Sequence, residues 1–265
     1  MPQKQRKDGS LFHMRSILDA PLAVFALTLV AMWLSAELGV FLSRRLPVDE
    51  RERQDFGIVI PATLTLLGLV IGFSFSMATG RYDQRKNYEE AEANAIGTEY
   101  LRGDLLSTAD AARVRELLKN YLHQRILFYE ARDEQQLGSI NAQTAQLESD
   151  LWSVVQAAAA KQPTYPVGLV VSGMNDVLNS QGYTQSAWWY RLPGPAWALM
   201  AAIAMFSSLL IGYSSLRRAT TIFAILPIAV AVAFFLIADI DSPRHGLIRI
   251  VPQNLISLAQ SLRAQ

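Results

Sequence analysis

The chain has 265 residues, 51% hydrophobic and 18% charged, with a formal net charge of +1. The near-neutral balance leaves no electrostatic footprint for nucleic acid, and the absence of cysteine excludes a disulfide framework, a thiolate metal site and a catalytic thiol. The three histidines, His13, His123 and His245, lie too far apart to show a metal-ligand spacing.

The apolar residues gather in blocks rather than at the period of a soluble domain. Four spans stand out, at residues 17–42, 56–79, 195–213 and 221–238. Each is about 20 residues long, enough to cross about 30 Å of hydrocarbon at about 1.5 Å per residue. Residues 1–16 form a charged N-terminal segment. The first span is longer than the apolar core of a signal peptide and a second span follows closely, so it is expected to stay in the membrane. It carries Glu37 near its far end, and an outer connection, Arg44–Asp55, follows.

Span two starts near Gly57 and Pro61. No helix-stopping signal follows Gly80, so one long helix is predicted to leave the membrane and run to about Leu106. Ser107 or Thr108 caps the next helix, with Val114, Leu118, Leu122 and Phe128 at helical spacing. A turn near Asp133–Ser139, containing Gly138, leads to a helix from about Asn141 to Ala160. Another starts near Pro166 and closes at Gly182. Trp188, Trp189 and Tyr190 read as an interfacial aromatic belt before span three. Span four ends at Asp239 and Asp241.

The parts are therefore an N-terminal segment (1–16), spans one and two (17–79), a helical insert (80–193), spans three and four (194–238) and a tail (239–265). The fold class is all-α: four transmembrane helices with a cytoplasmic helical bundle inserted between helices two and three. With the N-terminus inside, eleven Lys and Arg flank the spans on the inner side and six on the outer side. The bias places both termini and the insert in the cytoplasm.

Thr65, Gly68, Gly72, Ser76 and Thr79 recur every three or four residues and form one stripe of small or hydroxylated side chains on span two. Such a stripe either lets a neighbouring helix approach closely or lines a wet path with an apolar constriction. Glu37 lies within an apolar span, so its carboxylate must meet protein, water or a cation. It reads as part of an ion route or as a helix-to-helix hydrogen bond. Asp239 and Asp241 are either a possible cation-binding pair for a hard ion such as Ca²⁺ or a polar helix end. The run Arg81–Glu92 reads as a solvated helix laced with pairs such as Arg85–Glu89, with a vestibule role for Arg81 and Arg85 as the alternative. Tyr88, Tyr100, Tyr121 and Trp152 read as core aromatics.

The segment GFSFSMATGRYDQRK, Gly72–Lys86, resembles the second transmembrane helix of bestrophins. Gly72-Phe73 matches the family's Gly-Phe pair and Arg81-Tyr82 its Arg-aromatic motif, whereas Asp83 stands where a second aromatic is expected. The chain is more similar still to the bacterial bestrophin-like membrane proteins. That likeness rests on Glu37-Leu38-Gly39, on EANAIGTEYLR within Arg81–Leu105, and on Asp239–Gly246.

The resemblance implies an oligomeric ion channel, a pentamer whose second helices surround the pore, in the cytoplasmic membrane of a bacterium. Its partners would be the lipid bilayer, its own copies in a ring and permeant ions, with no cofactor. The neck carries over to Thr65, Leu69 and Phe73, with Ser76 below it. Thr65 departs from the family's apolar pattern and makes the outer part wetter. The alternative function is a non-conducting membrane scaffold or sensor acting through its cytoplasmic bundle. No nucleophile–base set or phosphate-binding loop points to an enzyme.

Overall fold

The computed structural model describes residues 20–46, 50–214 and 220–263. Among them are eight α-helices and no strand. They are α1 (Pro21–Arg45), α2 (Glu50–Arg102), α3 (Thr108–Glu130), α4 (Glu134–Lys161), α5 (Tyr165–Trp189), α6 (Gly194–Ser214), α7 (Thr220–Asp241) and α8 (Gln253–Arg263). Four stretches are long and apolar enough to cross a membrane: Pro21–Arg45, Gln54–Leu105, Tyr165–Ser214 and Ala224–Asp241.

The long second helix is present as expected, but it starts at Glu50, inside the stretch expected to be an outer connection. It runs 53 residues without a break, although Pro61 lies inside it, and so extends about 80 Å. Ser107 caps α3, accepting a hydrogen bond from Asp110 N at 3.3 Å. Three local expectations are corrected. Asp133 is a cap rather than part of a turn, accepting from Gln135 N at 3.2 Å, so Gly138 lies inside α4. Gly182 is helical too, and α5 continues to Trp189. An exposed helical glycine costs only about 1 kcal/mol relative to Ala, which is too little to end a helix that gains tertiary packing. Trp188 is not in an interfacial belt. It is buried against Phe128 and Tyr129, with ring centroids 5.1 and 5.4 Å away, while Trp189 and Tyr190 are exposed.

The chain divides into two units. The first comprises residues 1–81 and 191–248. Here α1 packs on α6 and α7. The α1–α6 crossing brings backbone against backbone. A Cβ at Gly212 would overlap the Ala36 carbonyl oxygen, and a Cβ at Gly39 would overlap that of Leu209 and lie 2.8 Å from Tyr213 N. Phe25 meets Phe235 edge-on at 6.5 Å, and Trp197 meets Phe234 at 5.9 Å. The end of α7 is closed by its own acids. Asp239 accepts from Leu247 N at 2.6 Å and Ile248 N at 2.8 Å, folding the following segment back so closely that Gly246 has no room for a side chain. Asp241 accepts from Leu192 N at 3.0 and 3.1 Å, which fixes the chain just before α6.

The second unit comprises residues 82–190 and 249–265. Its core includes Ile96, Tyr100, Leu118, Tyr121, Phe128, Leu151, Met174 and Leu255. Trp152 stays half-exposed, and Tyr88 stacks on Tyr183 at 6.0 Å. The charged run of α2 is a solvated face only in part, with Asp83, Lys86 and Glu90 exposed. Arg85, Glu89, Glu92 and Glu99 are all buried, at helical spacing on the side that carries Ala93 and Ile96. The first three act on another segment or element. Arg85 donates to the Ala187 and Tyr190 carbonyls at 3.1 Å, at the end of α5. Glu89 caps α8, accepting from Asn254 N, Leu255 N and Asn254 Nδ2. Glu92 pairs with Arg125 and accepts from Thr184 Oγ1 at 3.1 Å and Tyr129 Oη at 3.4 Å. The Glu99 side chain is fully enclosed against α5 at Gly173, with Arg102 Nη1 3.9 Å away and neither carboxyl oxygen hydrogen-bonded.

Two predictions follow from this packing. Gly212→Ala forces α1 and α6 apart, and overpacking of this kind costs about 1–3 kcal/mol. Gly138→Ala meets nothing and should leave stability equal or slightly higher. Thermal unfolding in detergent checks both, and equal melting of wild type and Gly212→Ala would refute the close crossing.

The second concerns pH. Burial, helped by Asp176 and opposed by Arg102, raises Glu99 from 4.5 to about 8. The native state therefore holds a proton that the unfolded chain releases near 4.5, and stability falls as pH rises from there through about 8. Glu99→Gln should remove that part of the slope and melt higher than wild type above pH of about 8. Parallel wild-type and variant curves would contradict it.

Candidate functional site

Successive residues of an α-helix advance about 100° around its axis. In the membrane-length part of α2 this divides the side chains into two faces. Leu67, Ser74 and Ala78 share one side and are buried, at 2%, 5% and 0% exposure. Thr65, Leu69, Phe73 and Ser76 lie on the opposite side, and all four are exposed, Leu69 at 52% and Phe73 at 65%. Of the four membrane-length stretches this one is the least covered. Only 6% of its most apolar window is buried, against 17%, 33% and 50% for the others.

The chemistry of the open face is sparse. No acidic or basic residue occurs from Gly57 to Thr79. Thr65 turns its hydroxyl onto the Pro61 carbonyl at 2.8 Å, and Thr79 turns its own onto that of Phe75 at 3.0 Å, so each helix bond is local. A Cβ built at Gly57, Gly68, Gly72 or Gly80 would meet nothing within 4 Å. These four glycines therefore receive no neighbour from the described residues, unlike Gly39 and Gly212. The face offers two apolar side chains, Leu69 and Phe73, between hydroxyl-bearing positions at Thr65 and Ser76, with glycines beside them.

The remaining candidates are distributed differently from the expectation. Arg81 is half-buried, its Nη2 3.6 Å from Met77 Sδ. Arg85 is enclosed at 1% exposure with its guanidinium on two carbonyls, so in this fold it ties off a helix end instead of presenting charge to a vestibule. Asp239 and Asp241 act as caps on separate segments, their oxygens accepting backbone amides. Among the described residues no group of three or more His, Asp or Glu is placed to hold a metal ion. Glu37 is exposed on α1. Sequence reasoning missed the inward set Glu89, Glu92 and Glu99. The available signal was their spacing, which puts them on the same stripe as Ala93 and Ile96.

Comparison with known proteins fits this architecture. A Bestrophin-like domain matches residues 22–255. The fold is similar to solved structures of a bacterial bestrophin homologue from Klebsiella pneumoniae. One mutant form has 11% identity and a TM-score of 0.62, covering 92% of this chain and 97% of the other. A second has 12% identity and 0.61, covering 92% and 95%. A third has 11% and 0.58, covering 88% and 98%. No curated protein matches the sequence. With most of its length covered by that domain, the chain belongs to the Bestrophin-like family.

Proposed function

We propose that this protein is the subunit of an ion channel, five copies forming a ring with the open face of α2 around a central axis. The observation that carries the reading is the face itself. Thr65, Leu69, Phe73 and Ser76 stand opposite the buried side of α2, beside glycines that no part of the chain approaches. Family membership supports the same reading, since bestrophins are ion channels.

Conduction would be passive, through a neck at Leu69 and Phe73. An apolar ring holds or excludes water according to small changes of radius, and so can gate by dewetting. Because the stretch from Gly57 to Thr79 has no charged residue, this neck discriminates by width and wetting rather than by a charged ring. The termini and the second unit lie on the cytoplasmic side, following the Lys and Arg bias, in the inner membrane of a bacterium. The protein uses no cofactor and performs no chemistry on its ions.

The test is flux through liposomes or planar bilayers containing the purified protein, together with its mass in detergent. Phe73→Ala widens the neck and should raise conductance several-fold. Leu69→Ala should do the same to a smaller extent, because a smaller side chain is removed. Conductance that both substitutions leave unchanged would displace the neck from this position. A monomeric mass would end the channel reading and leave the scaffold.

A further inference from the structure

Glu37 is the one charged residue of α1 between Pro21 and Ser43. It lies eight residues before Arg45, the last residue of the helix, and so about 12 Å from that end. It is exposed, and it makes no hydrogen bond or ion pair with any described residue. Its neighbours on the same side are apolar and equally open: Trp33 at 44%, Leu34 at 61% and Phe41 at 53%.

None of the described helices covers this side. Val24, Met32 and Gly39 are the buried positions of α1, and at about 100° per residue they face away from Glu37. Gly39 is in backbone contact with α6, and Phe25, off to that side, meets Phe235 of α7. A carboxylate on an apolar, membrane-length helix is costly against lipid. Intramembrane acids accordingly face protein or water. The surrounding aromatic and aliphatic side chains give water no polar lining. No described residue of the chain supplies a donor, which points to protein from an adjoining molecule.

We infer that the Trp33–Leu34–Glu37–Phe41 side of α1 is a contact with an adjoining copy of this chain, in which the neighbour donates a hydrogen bond to Glu37. The inference rests on the ring proposed above and adds a second surface to it. α2 lines the axis, and α1 holds adjacent subunits together. Aromatic and aliphatic side chains supply the contact area, and the single acid sets its register, since a slipped neighbour would leave the carboxylate without a donor.

The test uses the full-length protein in membranes. Benzoylphenylalanine replaces Phe41, and the sample is irradiated and run on a denaturing gel. A covalent dimer is expected. Monomer bearing only lipid adducts overturns the inference. In detergent, Glu37→Leu should shift the mass from the ring toward smaller species, whereas Glu37→Gln, which keeps an acceptor, should retain the ring. Full assembly of Glu37→Leu also overturns it, and loss of the ring in both variants does so because the acceptor is then not what matters. The wild-type mass separates the two readings. A monomeric wild type defeats the ring itself, while an intact ring with no Phe41 crosslink defeats only the α1 contact.

Discussion

An uninterrupted α-helix satisfies its own backbone hydrogen bonds, and this is what allows a segment to sit in hydrocarbon. α2 runs 53 residues without a break and keeps that property except at Pro61, which has no N–H to give the Gly57 carbonyl. Elsewhere the backbone needs nothing from its surroundings, so the differences along α2 are carried by side chains. From Gly57 to Thr79 they include no charge, and one side is left uncovered by the described residues. Beyond Arg81 the buried side is charged, and those charges tie other segments to the helix. Arg85 closes α5, Glu89 starts α8 and Glu92 meets Arg125 of α3.

Glycine separates contacts made within the chain from contacts left open. Small residues in membrane helices permit close approach. Gly39 and Gly212 do this inside the first unit, where backbone lies where a Cβ would go. Gly68 and Gly72 occupy the same kind of helix with nothing near them. Had all four been used for packing within the chain, the exposed face of α2 would be an ordinary lipid-facing surface, for which Leu or Val serves better than Gly. Two open glycines beside Leu69 and Phe73 fit the proposed pore, where a narrow space would be shared among copies.

The sequence carries some of this plainly and hides the rest, for physical reasons. The length of α2 was legible because a helix stops only where something stops it, and nothing after Gly80 does. The Ser107 cap was legible because capping is local. Gly138 and Gly182 misled because a glycine ends a helix only when the chain turns there, and tertiary packing here outweighs the small cost of keeping it helical. Trp188 misled because the aromatic cluster before a span suits an interface, whereas its ring fits between Phe128 and Tyr129. The charged run was least legible. Arg85 and Glu89 at i and i+4 look like a surface pair, and only the positions of α5 and α8 show what each one binds. For the candidate site, helical spacing alone put Thr65, Leu69, Phe73 and Ser76 near one another, but it could not reveal that the chain leaves them uncovered.

The buried acids of α2 also bear on how firmly the second unit is specified. Removing two charges from water costs more than one ion pair returns unless the remaining polar atoms are satisfied. Glu92 is well provided for, with Arg125, Thr184 and Tyr129 around its oxygens. Arg125 is less so: Nη1 and Nη2 lack hydrogen-bond partners, although the guanidinium lies 4.5 Å from the Phe128 ring centroid. An apolar core of the same volume would be at least as stable by this reasoning. It would also tolerate sliding of α2 along its neighbours, since apolar contacts are non-directional. A carboxylate fixed between a guanidinium and two hydroxyls tolerates none, because any shift leaves a buried charge unpaired. The polar seam therefore does more to fix the register of α2 than to stabilise the unit, and register is what a helix must hold if its opposite face is to present the same residues in every copy.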